Sequence, residues 1–278
     1  MTTLKLKRST ISLTDVGSGP AVVLLHGSAS SRHQWRKLAT QLSDRYRVLV
    51  PDLHGYGETI LHDGAPPRLS DELGIVRGLA DHIGEPFHLV GHSFGGAIAL
   101  GAARLVHDRL ASLTLFEPAA FHFLRDAGDT EAWSEIDDIA QKHMGYAWER
   151  KLEECADIMM GYWIGIPAWK AMSQEKRAVI IATMPKVASE WRWITLIEDE
   201  LARYAKIAAP TLLLRGVHTR VPPRRVIDLL RNTLPNCRLE EIQGAGHMAP
   251  LTHPEIVNAV IQAHIDRHPA DLTKAEAA

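Results

Sequence analysis

Ser93 is the residue whose surroundings announce chemistry. It stands in Gly91-His92-Ser93-Phe94-Gly95-Gly96, after the apolar run Phe87-His88-Leu89-Val90 and before the small-residue segment Ala97-Ile98-Ala99-Leu100-Gly101-Ala102-Ala103. That order reads as a buried strand, a sharp turn and a closely packed helix, the setting of a nucleophile elbow. Glycines two residues before and two after the serine let strand and helix approach. Strain at the apex presents the hydroxyl at the helix N-terminus, where backbone N–H groups favour developing negative charge. A bare G-x-S-x-G is frequent by chance, so the flanking pattern carries the signal. A serine hydroxyl is a poor nucleophile at neutral pH and needs a base within hydrogen-bond reach. The chain has fifteen histidines, so position in the fold must choose among them.

The elements that would position these groups follow from hydrophobic patterning. The chain has 278 residues, 46% of them hydrophobic, enough for one large core or a core with an inserted subdomain. Thr3 to Val16 alternates in polarity and predicts two short strands ending at Gly17-Ser18-Gly19-Pro20. Ala21–Leu25, Tyr46–Val50, the elbow strand, Leu113–Phe116, Thr211–Gly216 and Cys237–Ile242 are the further strands, several of them continuous apolar runs expected of a sheet buried on both faces. Helical segments alternate with these strands, which implies parallel strands with right-handed crossovers. From about Ala119 to Ile207 the alternation stops. That stretch predicts helices only, for example Trp133–Met144, Ala147–Trp163 and Trp191–Tyr204, and it holds six of the seven tryptophans.

The order of these pieces resembles the α/β-hydrolase superfamily. The matching residues are His26-Gly27, Asp52 with Gly55 and Gly57, the elbow at Ser93, and Gly244-Ala245-Gly246-His247. The resemblance covers about residues 10 to 265, interrupted by the variable helical block. It implies a mostly parallel eight-stranded sheet flanked by helices, with a helical cap inserted after the sixth strand. The division expected is a core of residues 1–118 and 208–278 and a cap of residues 119–207.

The resemblance also implies roles. His247, in the glycine-rich loop after the last strand, takes the place of the base. The family commonly has an aspartate three residues beyond the glycine that ends the strand Thr211–Gly216, and here that position is Thr219, which cannot stabilise an imidazolium. Glu117, at the end of the sixth strand and followed by Pro118, is the expected replacement. Some relatives, such as haloalkane dehalogenases, carry their acid there, and a carboxylate ending an apolar strand needs a partner. Asp52 is expected to anchor the turn around Gly55 and Gly57, and Asp228 lies too far along its helix. Oxyanion donors should be the backbone N–H groups of Phe94 and Ser28. Trp35 and His122 are candidates for lining the substrate pocket, while His26 and His54 are read as structural.

The expected function is hydrolysis of a small to medium apolar carboxylic ester through an acyl-enzyme, with no metal and no organic cofactor. A serine nucleophile argues against the dehalogenase and epoxide hydrolase branches, which use aspartate. Two rivals stay open: carbon–carbon bond hydrolysis of ring-cleavage products with the same three residues, and a weakly catalytic or non-catalytic small-molecule receptor on the same fold. The partner expected is the ester itself. A formal net charge of −2 gives no reason to expect nucleic acid, no segment approaches the roughly 18 apolar residues of a membrane span, and a homodimer remains open. Cys155 and Cys237 are too few for a disulfide framework or a structural zinc site. With an N-terminus that lacks a signal-peptide apolar core, they suggest a cytoplasmic protein. The polar, alanine-rich stretch from about Asp266 to Ala278 is expected to fray.

Overall fold

The computed structural model describes residues 2–270. Its strands are β1 (Thr2–Lys5), β2 (Ser9–Val16), β3 (Ala21–Leu25), β4 (Arg47–Pro51), β5 (Ile60–Leu61), β6 (Phe87–His92), β7 (Leu110–Phe116), β8 (Thr211–Gly216) and β9 (Cys237–Ile242). They form one sheet in the order β1-β2-β4-β3-β6-β7-β8-β9, with β5 pairing off this path against β2. The expected eight strands are therefore joined by a ninth. It is two residues long, too short for alternation to betray it in the sequence. β1, β2 and β5 pair antiparallel, and every pairing from β4 through β9 along the path is parallel.

Two layers of side chains enclose the sheet. On one face Val22, Val48 and Val90 pack with Leu38, Val257 and Ile261 from the helices Arg36–Leu42 and Pro254–Arg267. On the other, Val23, Leu89 and Leu115 pack with Val76, Ile98 and Val226 from the helices Leu69–Ile83, Ser93–Ala103 and Val221–Thr233. This is why β3 is buried along its whole length and reads as an unbroken apolar run. Helices that are N-terminal to one strand and C-terminal to another bring the C-terminal ends of β6, β7, β8 and β9 to one edge.

Between β7 and β8 the chain is helical, but the segments differ from expectation. They run Thr130–Trp148, Leu152–Ile164, Ile166–Lys170, Gln174–Ala182 and Met184–Leu196, after a short helix at His122–Asp126. The expected helix Ala147–Trp163 is broken near Arg150, which takes φ +60°, a left-handed conformation incompatible with continuing a right-handed helix. The expected helix Trp191–Tyr204 ends at Leu196, because Ile197 and Glu200 are extended. The C-terminal helix continues through Arg267, so the expected fraying at Asp266 is corrected; the part of that expectation falling on residues 271–278 lies outside the described residues.

Burial also sets the acid stability of the fold. His26, His88, His122, His143 and His264 are pushed down to about 4, chiefly because their charged forms would be desolvated. In the unfolded chain histidine titrates near about 6.5. Below that pH the unfolded state binds protons that the folded state refuses. The stability these groups contribute is present above about pH 6.5 and is lost as pH falls toward 4. We expect Tm to fall steadily between about pH 7 and pH 5. His143→Leu should flatten that slope, since His143 is fully buried and packs against Met184. A Tm that does not change over this interval would contradict the account.

Candidate active site

β6 ends at His92, and the next residue, Ser93, takes φ +54°. A non-glycine residue there is strained. A Cβ on Gly91 would run into the carbonyl oxygen of Gly95, and a Cβ on Gly95 into that of His26. The two glycines are thus needed where β6, its helix and β3 crowd together. The Ser93 carbonyl is held by the Ala119 N–H at 3.0 Å, which ties the elbow to the chain leaving β7.

Glu117 follows β7 with φ +41°, a second left-handed residue at the same edge. Its carboxylate is fully buried. Oε2 lies 2.7 Å from His247 Nδ1 and accepts from Thr219 Oγ1 at 2.7 Å, while Oε1 accepts from the Gly216 N–H at 2.8 Å. His247 Nε2 is 3.0 Å from Ser93 Oγ. The three residues thus form one hydrogen-bonded row. Thr219, which fills the position where a carboxylate is common in relatives, donates to Glu117 instead. The loops after β8 and β9 are stitched by the His218 N–H to Ala245 carbonyl bond at 2.8 Å, which fixes Thr219 and His247 relative to one another.

The loop after β3 brings Ser28 beside the nucleophile, and Phe94 is the second residue of the helix Ser93–Ala103 that Ser93 begins. The Ser28 hydroxyl donates to Glu190 Oε2 at 2.5 Å and so neither caps the following helix nor faces the cavity freely. His92, beside Ser93, has a positioning contact. Its Nε2–H donates to the His247 carbonyl at 3.0 Å, its Nδ1 accepts from Gln34 Nε2 at 3.2 Å, and the Gly27 N–H donates to Gln34 Oε1 at 3.1 Å. Burial holds His92 well below the ordinary histidine range, consistent with the neutral ring this pattern needs. His26 is likewise neutral: Nε2 accepts from the Leu53 N–H at 3.1 Å and Nδ1–H donates to the Gly27 carbonyl at 2.8 Å. Asp52 accepts from the Arg32 and Glu58 N–H groups at 2.8 Å and 3.3 Å and pairs with the Arg32 guanidinium, so it braces the turn at Gly55 and Gly57.

A cavity of about 200 Å³ opens over Ser93, with His247 on one wall and Met159, Met160, Trp163, Met172 and Ile180 among its apolar lining. Two residues expected to line the pocket do not. Trp35 is buried against Leu38 in the core layer of Val22 and Val48, because in the short helix Arg32–Trp35 it is the neighbouring Gln34 that lines the cavity. His122 lines a separate cavity of about 130 Å³ that does not include Ser93, because the chain turns after Pro118 and carries it behind Phe94. Among the described residues no group of three His, Cys, Asp or Glu side chains is placed to hold a metal ion, and no helix is long and apolar enough to cross a membrane.

The profile of the alpha/beta hydrolase family matches residues 22–260. The chain belongs to that family. A pimeloyl-[acyl-carrier protein] methyl ester esterase from Chromobacterium violaceum is 28% identical over 254 residues, covering 90% of this chain and 96% of that protein. A 2-hydroxy-6-oxo-2,4-heptadienoate hydrolase from Pseudomonas putida is 28% identical over 244 residues, covering 84% of this chain and 85% of that protein. Among solved structures, a thermophilic esterase from Thermogutta terrifontis superposes with a TM-score of 0.75 at 25% identity, covering 96% of this chain and 99% of that one.

This α/β hydrolase carries site residues that its sequence did not single out. Trp163 lies face to face with His247, ring centroids 3.9 Å apart and planes at 26°. It was one of six tryptophans in the helical block, and nothing in its spacing marked it. Such a stack contributes on the order of 1 kcal/mol to ring position. Trp163→Leu should therefore lower kcat/KM for an ester roughly fivefold with the fold intact; an unchanged rate would show that the stack does not position the imidazole. Glu190 and Lys186, one turn apart on the helix Met184–Leu196, are buried beside the site. Glu190 accepts from Tyr56 Oη at 2.7 Å as well as from Ser28, and Lys186 Nζ sits 3.0 Å from Glu190 and 3.1 Å from Glu72. A Lys-x-x-x-Glu pair in a helix reads as a solvated face, and only the packing shows otherwise.

Proposed function

We propose that this α/β hydrolase is a serine esterase acting on an uncharged, largely apolar carboxylic ester. The observation that carries the reading is the row Ser93 Oγ, His247 and Glu117, with links of 3.0 Å and 2.7 Å, beneath an apolar cavity. Ser93 attacks the ester carbonyl as His247 Nε2 takes its proton. The Ser28 and Phe94 N–H groups receive the developing oxyanion. His247 then protonates the leaving alcohol, Glu117 stabilising the imidazolium and holding the Nδ1–H tautomer. Water activated by His247 releases the acid. In this reading the helical block of residues 119–207 is a cap on a core of residues 1–118 and 208–278, since Met159, Trp163 and Ile180 roof the cavity.

The esterase reading is favoured over carbon–carbon bond hydrolysis by the charge of the walls. The C–C hydrolase relative is named for a dienoate, an anion that needs a cation or a set of donors to pay for its desolvation. Among the described residues no lysine or arginine lines either space that touches Ser93, and Glu190 adds a carboxylate there. Of the neutral side-chain donors Ser28, Ser30, Gln34 and Thr252 on the walls, Ser28 and Gln34 are already engaged by Glu190 and His92. A neutral ester meets no such penalty. The test is stoichiometric labelling of the intact protein by a fluorophosphonate, lost in Ser93→Ala, together with turnover of neutral esters and none of the dienoate. An unlabelled Ser93 in folded protein would leave the receptor reading in its place.

A further inference from the structure

The helix Met184–Leu196 turns Val187, Glu190, Trp191 and Ile194 toward Ser93, the spacing of one helix face. With Ala119 and Phe121 they close a chamber of only about 20 Å³ beside the nucleophile, room for about one water-sized group. The space on the other side is about 200 Å³. Ser28, Ser93, Met159 and Trp163 line both, so the two spaces meet at the hydroxyl. Behind the small chamber lies the cavity of about 130 Å³, walled by Leu69, Leu73, Phe94, Ala97 and Trp193. Ala119 and Ile194 line this cavity and the small chamber alike. Ala119 contributes a single methyl group, so Ile194 is the part of the partition that a substitution can remove.

We propose that Ile194 is a specificity-determining partition that limits one arm of the ester to about two carbons, and that the apolar cavity behind it accepts a linear alkyl chain once the partition is shortened. This rests on the esterase reading above. The rest of the chamber wall is held fast. Glu190 is gripped by Ser28 Oγ at 2.5 Å, Tyr56 Oη at 2.7 Å and Lys186 Nζ at 3.0 Å, and Trp191 is buried and stacked on Phe121 at 6.3 Å. Val187 lines the small chamber but not the cavity beyond. Shortening Val187 therefore enlarges the chamber, whereas shortening Ile194 joins two spaces. Two aliphatic residues on one helix face thus have different consequences.

The experiment uses two series of neutral esters. One lengthens a linear acyl group from acetyl to octanoyl on methanol as the fixed alcohol, and the other lengthens an alkyl alcohol from methyl to octyl on acetic acid as the fixed acid, so that the unvaried arm always fits the small chamber. In wild type one series should lose roughly tenfold in kcat/KM between two and four carbons, while in the other each methylene gains up to about fourfold, the equivalent of about 0.8 kcal/mol per buried CH₂. Val187→Ala should move the cut-off by one or two carbons, and Ile194→Ala to six or more. Ile194→Ala with Ala97→Phe, which fills the cavity behind, should restore the short cut-off. The milder Ile194→Val, moving the cut-off by about one carbon, serves if the alanine variant does not fold. Alkyl fluorophosphonates of matched length give the same cut-off from inactivation rates, without turnover. Two uniform series in wild type, or a shift in Ile194→Ala no larger than in Val187→Ala, overturns the proposal. Failure of every ester and every phosphonate in folded wild type overturns the esterase reading instead, a distinguishable result.

Discussion

Glu117→Gln should lower kcat/KM for a neutral ester by about 10⁴-fold, the scale seen when a triad acid is made an amide, while Thr219→Val should cost about tenfold at most. Glu117 offers three acceptor contacts: to the Gly216 N–H, to Thr219 Oγ1 and to His247 Nδ1. Glutamine preserves the volume but has only one acceptor oxygen. If that oxygen keeps the Gly216 N–H, the amide NH₂ faces His247 and forces the proton onto Nε2. That tautomer donates to Ser93 Oγ and cannot take its proton. Thr219→Val removes one donor from the carboxylate and leaves its charge, its Gly216 contact and the tautomer in place. One charge-assisted hydrogen bond is on the order of 2 kcal/mol, of which part would reach the transition state. Steady-state kinetics on both variants, with thermal unfolding to show that each is folded, decides the matter. A loss of several orders of magnitude in Thr219→Val with none in Glu117→Gln would remove Glu117 from the role.

Lys186→Met should destabilise the protein by about 3–5 kcal/mol, the cost of removing one partner from a buried ionic group. Lys186 Nζ lies between the carboxylates of Glu72 and Glu190, which are 0% and 1% exposed. It also sits 4.7 Å above the centres of the Phe94 and Trp193 rings, where an ammonium is favoured. Methionine fits the volume and leaves two carboxylates in a dry site without a cation. Burial already pushes Glu190 above the usual carboxylate range, and the Lys186 charge opposes that shift. Differential scanning calorimetry should show a drop in Tm of roughly 10 °C. Adding Glu190→Gln should return part of it, since one uncompensated charge is then gone, so the double variant will not be the sum of the singles. A Tm within about 2 °C of wild type would show that the three side chains are not coupled.

The elements around the site were legible because each is local. β3 is an unbroken apolar run, β6 is a buried one interrupted by His88, and the elbow glycines sit where strand meets helix, so sequence order alone put Ser93 at a sheet edge. Periodicity failed in the helical block, where Arg150 breaks a run of good helix formers by taking a left-handed conformation. It failed again at β5, whose two residues are too few to show a period.

The acid marks the boundary between what is local and what is not. By itself the sequence determined that Thr219 carries no charge and that Glu117 is a carboxylate ending an apolar strand. Only the tertiary structure decided that these positions, 102 residues apart, meet. The physical reason is that β7 and β8 are parallel neighbours, so their C-terminal ends open onto the same space and one carboxylate serves both loops. The same holds for Ser28 and Glu190, 162 residues apart, and for Trp163 on His247. Chemistry between residues near in sequence leaves a spacing that can be read. Contacts between the helical block and the sheet edge depend on how two surfaces pack, and packing leaves no period in the chain.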